Sequence, residues 1–169
     1  AAEAAYAEGM QQLEAEQLEA ALVSFQSAIE NHDKHAPSYV GIGHVYLKQE
    51  NLGEAEKAFK KALSKEKKHA PAYNGLGLVY SKKKNEMRRA IAYFRDANRA
   101  DKKYSLAQYN LAQTLEEYGS TETLKEYRNV LKIDPIHPNA NYRIGKLLDE
   151  SGEYEKAVKE YEKLIQLDP

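Results

Sequence analysis

His35-Ala36-Pro37-Ser38-Tyr39-Val40-Gly41-Ile42-Gly43-His44-Val45-Tyr46 returns one period later as His69-Ala70-Pro71-Ala72-Tyr73-Asn74-Gly75-Leu76-Gly77-Leu78-Val79-Tyr80. Self-similarity at a fixed period is the mark of a repeat architecture, and it outranks any local reading. A second block follows each copy. Ala55-(x3)-Phe59-(x2)-Ala62 trails the first and Ala90-(x3)-Phe94-(x2)-Ala97 the second, while Ala21-(x3)-Phe25-(x2)-Ala28 stands the same period before the Ala55 block. Weaker copies run on as Tyr109-Asn110-Leu111-Ala112-(x2)-Leu115 with Tyr127-(x2)-Val130, and as Tyr142-Arg143-Ile144-Gly145-(x2)-Leu148 with Ala157-(x3)-Tyr161-(x2)-Leu164.

Apolar and small residues three and four apart, such as Tyr39, Ile42, Gly43 and Tyr46, share one helical face, and Ala55, Phe59 and Ala62 share another. Each repeat therefore reads as two helices with facing apolar sides. A lone pair of this kind leaves apolar surface uncovered and is stable only when stacked on neighbours. Pro37 and Pro71 mark helix starts, and Asp134-Pro135 and Asp168-Pro169 close the last two repeats, since proline lacks the amide donor and restricts its predecessor.

In these blocks the chain resembles the tetratricopeptide repeat family, whose unit is a helical hairpin with an aromatic, a Leu-Gly or Ile-Gly pair, a Tyr, and then Ala, an aromatic, Ala and Pro. Five units fit, about 2–35, 36–69, 70–104, 105–137 and 138–169, forming one domain over 1–169. The third has one extra residue near Lys82-Lys83-Lys84; the fourth lacks one near Ser120 and carries Thr123 where Ala is usual. The resemblance implies an all-α, right-handed superhelical solenoid of antiparallel helix-turn-helix repeats, acting as a scaffold that holds a protein or peptide in its concave groove.

Groove positions carried over from the family are Tyr6, Ala7 and Met10; Val40, Gly41 and His44; Asn74, Gly75 and Leu78; Tyr109, Asn110 and Gln113; and Tyr142, Arg143 and Lys146. They run from small and apolar to polar and basic. That gradient suits a segment with apolar side chains at one end and an acidic group or C-terminus near Arg143 and Lys146. The plainer alternative makes them solvated helix residues. Of the carboxylate clamp used by chaperone-binding relatives, Asn110 and Arg143 fall in matching places, whereas Asn74, Leu78 and Asn139 do not. Gly43 and Gly77 have a packing reason; Gly41 and Gly75 are expected to point into the groove, where they would admit a ligand backbone or simply reflect duplication.

Composition excludes much else. The absence of Cys removes disulfides, zinc ribbons and thiol catalysis. No apolar run approaches the roughly 20 residues of a membrane span, so no transmembrane segment is expected. A chain beginning at Ala1 without Met reads as processed or as a piece of something longer, and its compartment leaves no mark. Gly41-Ile42-Gly43 and Gly75-Leu76-Gly77 are not nucleotide loops, because they lie inside helices and lack the third glycine. His32-Asp33-(x)-His35 is compact but has no third ligand nearby, and His35, His69 and His137 recur at unit junctions. No nucleophile turn, metal motif or phosphate loop occurs. Neither cofactor nor catalysis is expected.

Charge is segregated although the net is −1. Residues 1–56 carry −8, residues 57–103 carry +11 and residues 104–169 carry −4. Lys60, Lys61, Lys67, Lys68, Lys82, Lys83, Lys84, Arg88 and Arg89 form the heart of the basic belt, expected on the convex side or an edge. It reads as solvated surface, as a dock for an acidic partner or a neighbouring copy, or as a nucleic-acid or lipid contact; the last is disfavoured because aromatics do not interleave with the lysines. The alternative to a groove binder is thus an assembly element that self-associates through the array ends and the belt at 57–103.

Overall fold

A computed structural model describes residues 1–167, all helices and turns, and so leaves Asp168-Pro169 outside the described residues. The chain divides into two units, Ala1–Asp101 and Lys102–Pro169. The first holds three hairpins: α1 (Ala2–Glu14) with α2 (Leu18–Asn31), α3 (Ala36–Lys48) with α4 (Leu52–Lys65), and α5 (Ala70–Ser81) with α6 (Met87–Ala100). The second holds two: α7 (Ser105–Tyr118) with α8 (Thr123–Ile133), and α9 (Pro138–Glu150) with α10 (Tyr154–Leu167). The all-α helical-repeat reading stands.

The punctuation is local. Proline occupies the first turn of α3, α5 and α9, where a missing amide donor costs nothing. Asn51 accepts from the Glu54 amide at the start of α4, and His137 Nδ1 accepts from the Ala140 amide at the start of α9. Between hairpin helices the chain turns through the left-handed region, at Gly119 (φ 74) and Gly152 (φ 81) but also at Glu16 and Glu50 (both φ 58). A side chain there is strained. Glu16→Gly is expected to raise stability by about 0.5–1 kcal/mol in urea unfolding, because the exposed Glu16–Lys48 pair it removes contributes little.

Buried aromatics hold the hairpins together: Phe25, Phe59 and Tyr127 are 0% exposed. A Cβ added to Gly9 would lie 2.7 Å from the Phe25 ring, and one on Gly41 would lie 2.5 Å from the same ring. Phe59 is gripped likewise, at 2.6 Å from Gly43 and 2.2 Å from Gly75. Gly41 and Gly75 therefore face the preceding hairpin, not the groove. The reason is angular: residues two apart on an α-helix point about 200° apart, so one glycine of each Gly-x-Gly meets its own hairpin's ring and the other meets the ring before it. In the second unit, Tyr127, Val130, Ala140, Ile144, Leu148 and Ala157 close a core with Leu124, Leu131 and Tyr161 packed on it.

Candidate protein-interaction surface

In the first unit the first-helix residues separate by depth. Val40 is 7% exposed and Asn74 1%, so both serve the packing and offer almost no surface, contrary to their groove assignment. Their positions lie one residue before Gly41 and Gly75, on the side of the helix that turns inward. Tyr6, Met10, His44 and Leu78 remain half-buried and reach solvent. Tyr6 sets its ring edge against His35 at 5.1 Å, and burial, with Glu3 behind it, raises its pKa. His44 stands edge-on to Phe59 at 5.3 Å, and burial pushes its pKa below the usual imidazole range. It is therefore neutral at pH 7.

Met10 and His44 belong to an open pocket of about 520 Å³, completed by Leu13, Leu47, Lys48, Glu50 and Lys82. Leu13 and Leu47 follow Met10 and His44 by three residues, the spacing that puts side chains on one helix face; that spacing was the signal available for them. Leu78 is not part of the pocket wall. The floor is apolar, and Lys82, from the turn after α5, stands at the rim beside Lys48 and Glu50.

The basic belt brackets α5. Lys67 and Lys68 precede α5 whereas Lys82, Lys83 and Lys84 follow it, so a 12-residue helix, about 18 Å long, separates them. Much of the charge is matched internally. Glu56 accepts from Lys60 (2.6 Å), Lys83 (2.5 Å) and the Tyr80 hydroxyl (2.7 Å). Burial works to raise the Glu56 pKa, but these three donors outweigh it and hold the carboxyl at about 2. Arg89 lies 4.1 Å over the Tyr80 ring and pairs with Glu86. Lys61 and Lys84 extend into solvent, as does Arg88. Lys68 shares a smaller recess, about 200 Å³, with Tyr73, Asp96 and Arg99.

In the second unit Tyr109 stacks on His137 at 4.8 Å and leans on Tyr127 at 5.8 Å. The buried Tyr127 hydroxyl donates to Glu116 (2.6 Å), whose other oxygen meets Arg143 at 3.3 Å. Burial first, then the Glu116 carboxylate, pushes the Tyr127 pKa well above the ordinary phenol. Arg143 is thus engaged within the fold, and Lys146 pairs with Glu150 at 3.5 Å. Tyr142, 52% exposed, presents its ring; Gln113 and Asn110 are half-buried, and the Asn110 carbonyl accepts from Thr114. Tyr127→Phe is expected to cost about 1–3 kcal/mol by chemical denaturation, because it leaves the Glu116 carboxylate one donor short in a partly buried setting.

The junction histidines serve packing and capping. His35 Nδ1 meets Ser38 at 2.7 Å and Nε2 meets Glu3 at 3.2 Å; His69 meets Glu66 at 2.9 Å. Among the described residues no three His, Asp or Glu side chains form a metal-binding group, and no helix is long and apolar enough to cross a membrane.

Sequence models of the tetratricopeptide repeat match residues 12–78, 70–104 and 138–169. Solved structures share the fold. The chain is 26% identical to YrrB, a tetratricopeptide repeat protein with an unusual peptide-binding site, over 98% of this chain and 85% of that one, with a TM-score of 0.66. It is 19% identical to PilF of Pseudomonas aeruginosa over 99% and 77%, with a TM-score of 0.88. It is 20% identical to MamA over 95% and 94%, with a TM-score of 0.76. A search of curated protein sequences finds no match.

Proposed function

The chain belongs to the tetratricopeptide repeat family, a family of protein-interaction scaffolds, and from that premise we propose that its first unit binds a protein segment in the pocket of Met10, Leu13, His44 and Leu47. The single observation that carries this is the pocket's make-up: an apolar floor with Lys48, Glu50 and Lys82 at its rim. A ligand suited to it inserts one apolar side chain and sets a carboxylate beside Lys82. Neutral His44 fits an apolar guest better than a charged ring would. In the second unit, Tyr109, Gln113 and Tyr142 offer aromatic and amide surface, with Asn110 and Lys146 beside them. Because Arg143 is already paired with Glu116, the carboxylate preference is assigned to Lys82 rather than to Arg143. No catalytic step is proposed.

A random-peptide library selected on the wild-type chain tests this. Winning peptides are expected to pair a large apolar residue with Asp or Glu, and Lys82→Glu is expected to weaken them about tenfold. Arg143→Ala is expected to leave them unchanged. Peptides that bind Lys82→Glu and Met10→Ala as tightly as wild type would sink the proposal. A second reading, self-association through the array ends, draws on a different observation, the exposed apolar stripe of α10.

A further inference from the structure

Val158 and Ile165 of α10 are 54% and 66% exposed, and Tyr154 on the same face is 65% exposed. Their spacing, with Tyr161 between, makes a continuous stripe along the helix. The stripe repeats an internal joint. Leu124, Tyr127 and Leu131 of α8 stand one repeat period before Val158, Tyr161 and Ile165, and there the same face packs into the core that α9 closes. So α10 carries the donor half of a hairpin joint, open to solvent.

The accepting half is open on α1. In the joint between α2 and α3, Gly41 and Val45 lie against Phe25. Their counterparts one period earlier, Ala7 and Gln11, are exposed. Ala7 is larger than the glycine of that joint, where a Cβ would press on the ring at 2.5 Å. At Tyr127 the equivalent position holds Arg143, joined to it through Glu116, so a joint built on tyrosine takes a residue larger than glycine there. The aromatic of α10 is also a tyrosine, so alanine suits it. Gln11 in place of valine makes the contact more polar than an internal joint, hence reversible.

We infer that two copies of this chain associate head to tail, the Tyr154, Val158, Tyr161 and Ile165 stripe of one seating on the Ala7 face of α1 in the next. The contact is heterologous, so each copy added leaves one stripe and one Ala7 face open, and growth continues unless a ring closes. Because the joined residues, Gln11 included, carry no charge, association persists at high salt, unlike one made by the lysine clusters.

Sedimentation velocity from micromolar to millimolar concentration tests this with the whole chain. Wild type is expected to grow beyond the dimer with concentration, little altered by molar salt. Val158→Glu with Ile165→Lys, and separately Ala7→Arg, all at exposed positions, are each expected to weaken association at least tenfold. An equimolar mixture of the two variants is expected to form one-to-one dimers and nothing larger, since the one intact stripe and the one intact Ala7 face are used up in joining the pair. A wild type that stays monomeric, association that vanishes in salt, or variants that fail to pair when mixed would each overturn the inference; a monomeric wild type would assign both faces to a different partner.

Discussion

Phe59→Ala is expected to destabilise the first unit by about 3–5 kcal/mol, a large share of the roughly 5–15 kcal/mol that holds a domain together. The ring is fully buried and sits between Gly43 and Gly75, so its loss empties both the inside of one hairpin and the joint to the next. The reciprocal change is nearly as damaging. Gly75→Val places a Cβ 2.2 Å from the ring, and the overpacking is expected to cost about 2–3 kcal/mol, against a gain of a few tenths from helix propensity. Urea unfolding of both single variants and the double variant would show the pairing. In Gly75→Val/Phe59→Ala the valine occupies part of the vacated space, and the two costs should add to less than their sum. Strict additivity would mean that ring and glycine do not share one joint.

The second large effect is one of pH. The Glu56 carboxyl, 16% exposed, is held at about 2 against an ordinary 4.5. Burial opposes ionisation there, and the hydrogen bonds from Lys60, Lys83 and Tyr80 more than offset it. Between those two values the unfolded chain binds the proton and the folded chain does not, so stability rises with pH. The contribution is complete above pH 4.5 and is lost as pH falls toward about 2. Allowing for solvent around Lys60, it amounts to about 2 kcal/mol. Urea midpoints of wild type and Glu56→Gln should therefore differ most near neutral pH and converge as pH falls toward about 2–3. A constant gap between them would place no proton at this site.

The repeat, its helices and its aromatic ladder were legible because each depends on residues close in sequence or on a fixed period. The Pro37 and Pro71 starts, the Phe25 and Phe59 rings and the Gly43 packing follow from such spacing alone. Gly41 and Gly75 did not. Their role depends on the ring of a preceding hairpin, which a helical face drawn for one repeat does not include. Arg143 misled for a related reason: its partner Glu116 lies on α7, so a basic groove position becomes an internal ion pair. The internal pairing of the belt, with Lys60 and Lys83 sharing Glu56, was not legible either, because it joins α4 to the turn after α5. Lys82 entered the pocket because it follows the end of α5, in the turn inside its hairpin, a place that no helical face drawn from sequence includes.

The coupling of each ring to the residue facing it limits how freely hairpins can be exchanged. Phe25 and Phe59 each require glycine in the following first helix, whereas Tyr127 is followed by Arg143 and tied to it through Glu116. Grafting the α9 hairpin behind α2 would drive arginine into Phe25. Placing the α3 hairpin behind α8 would leave Glu116 without its cation. The hairpins are alike in outline but ordered in fact, so recombining this array calls for moving each aromatic together with the first helix that follows it.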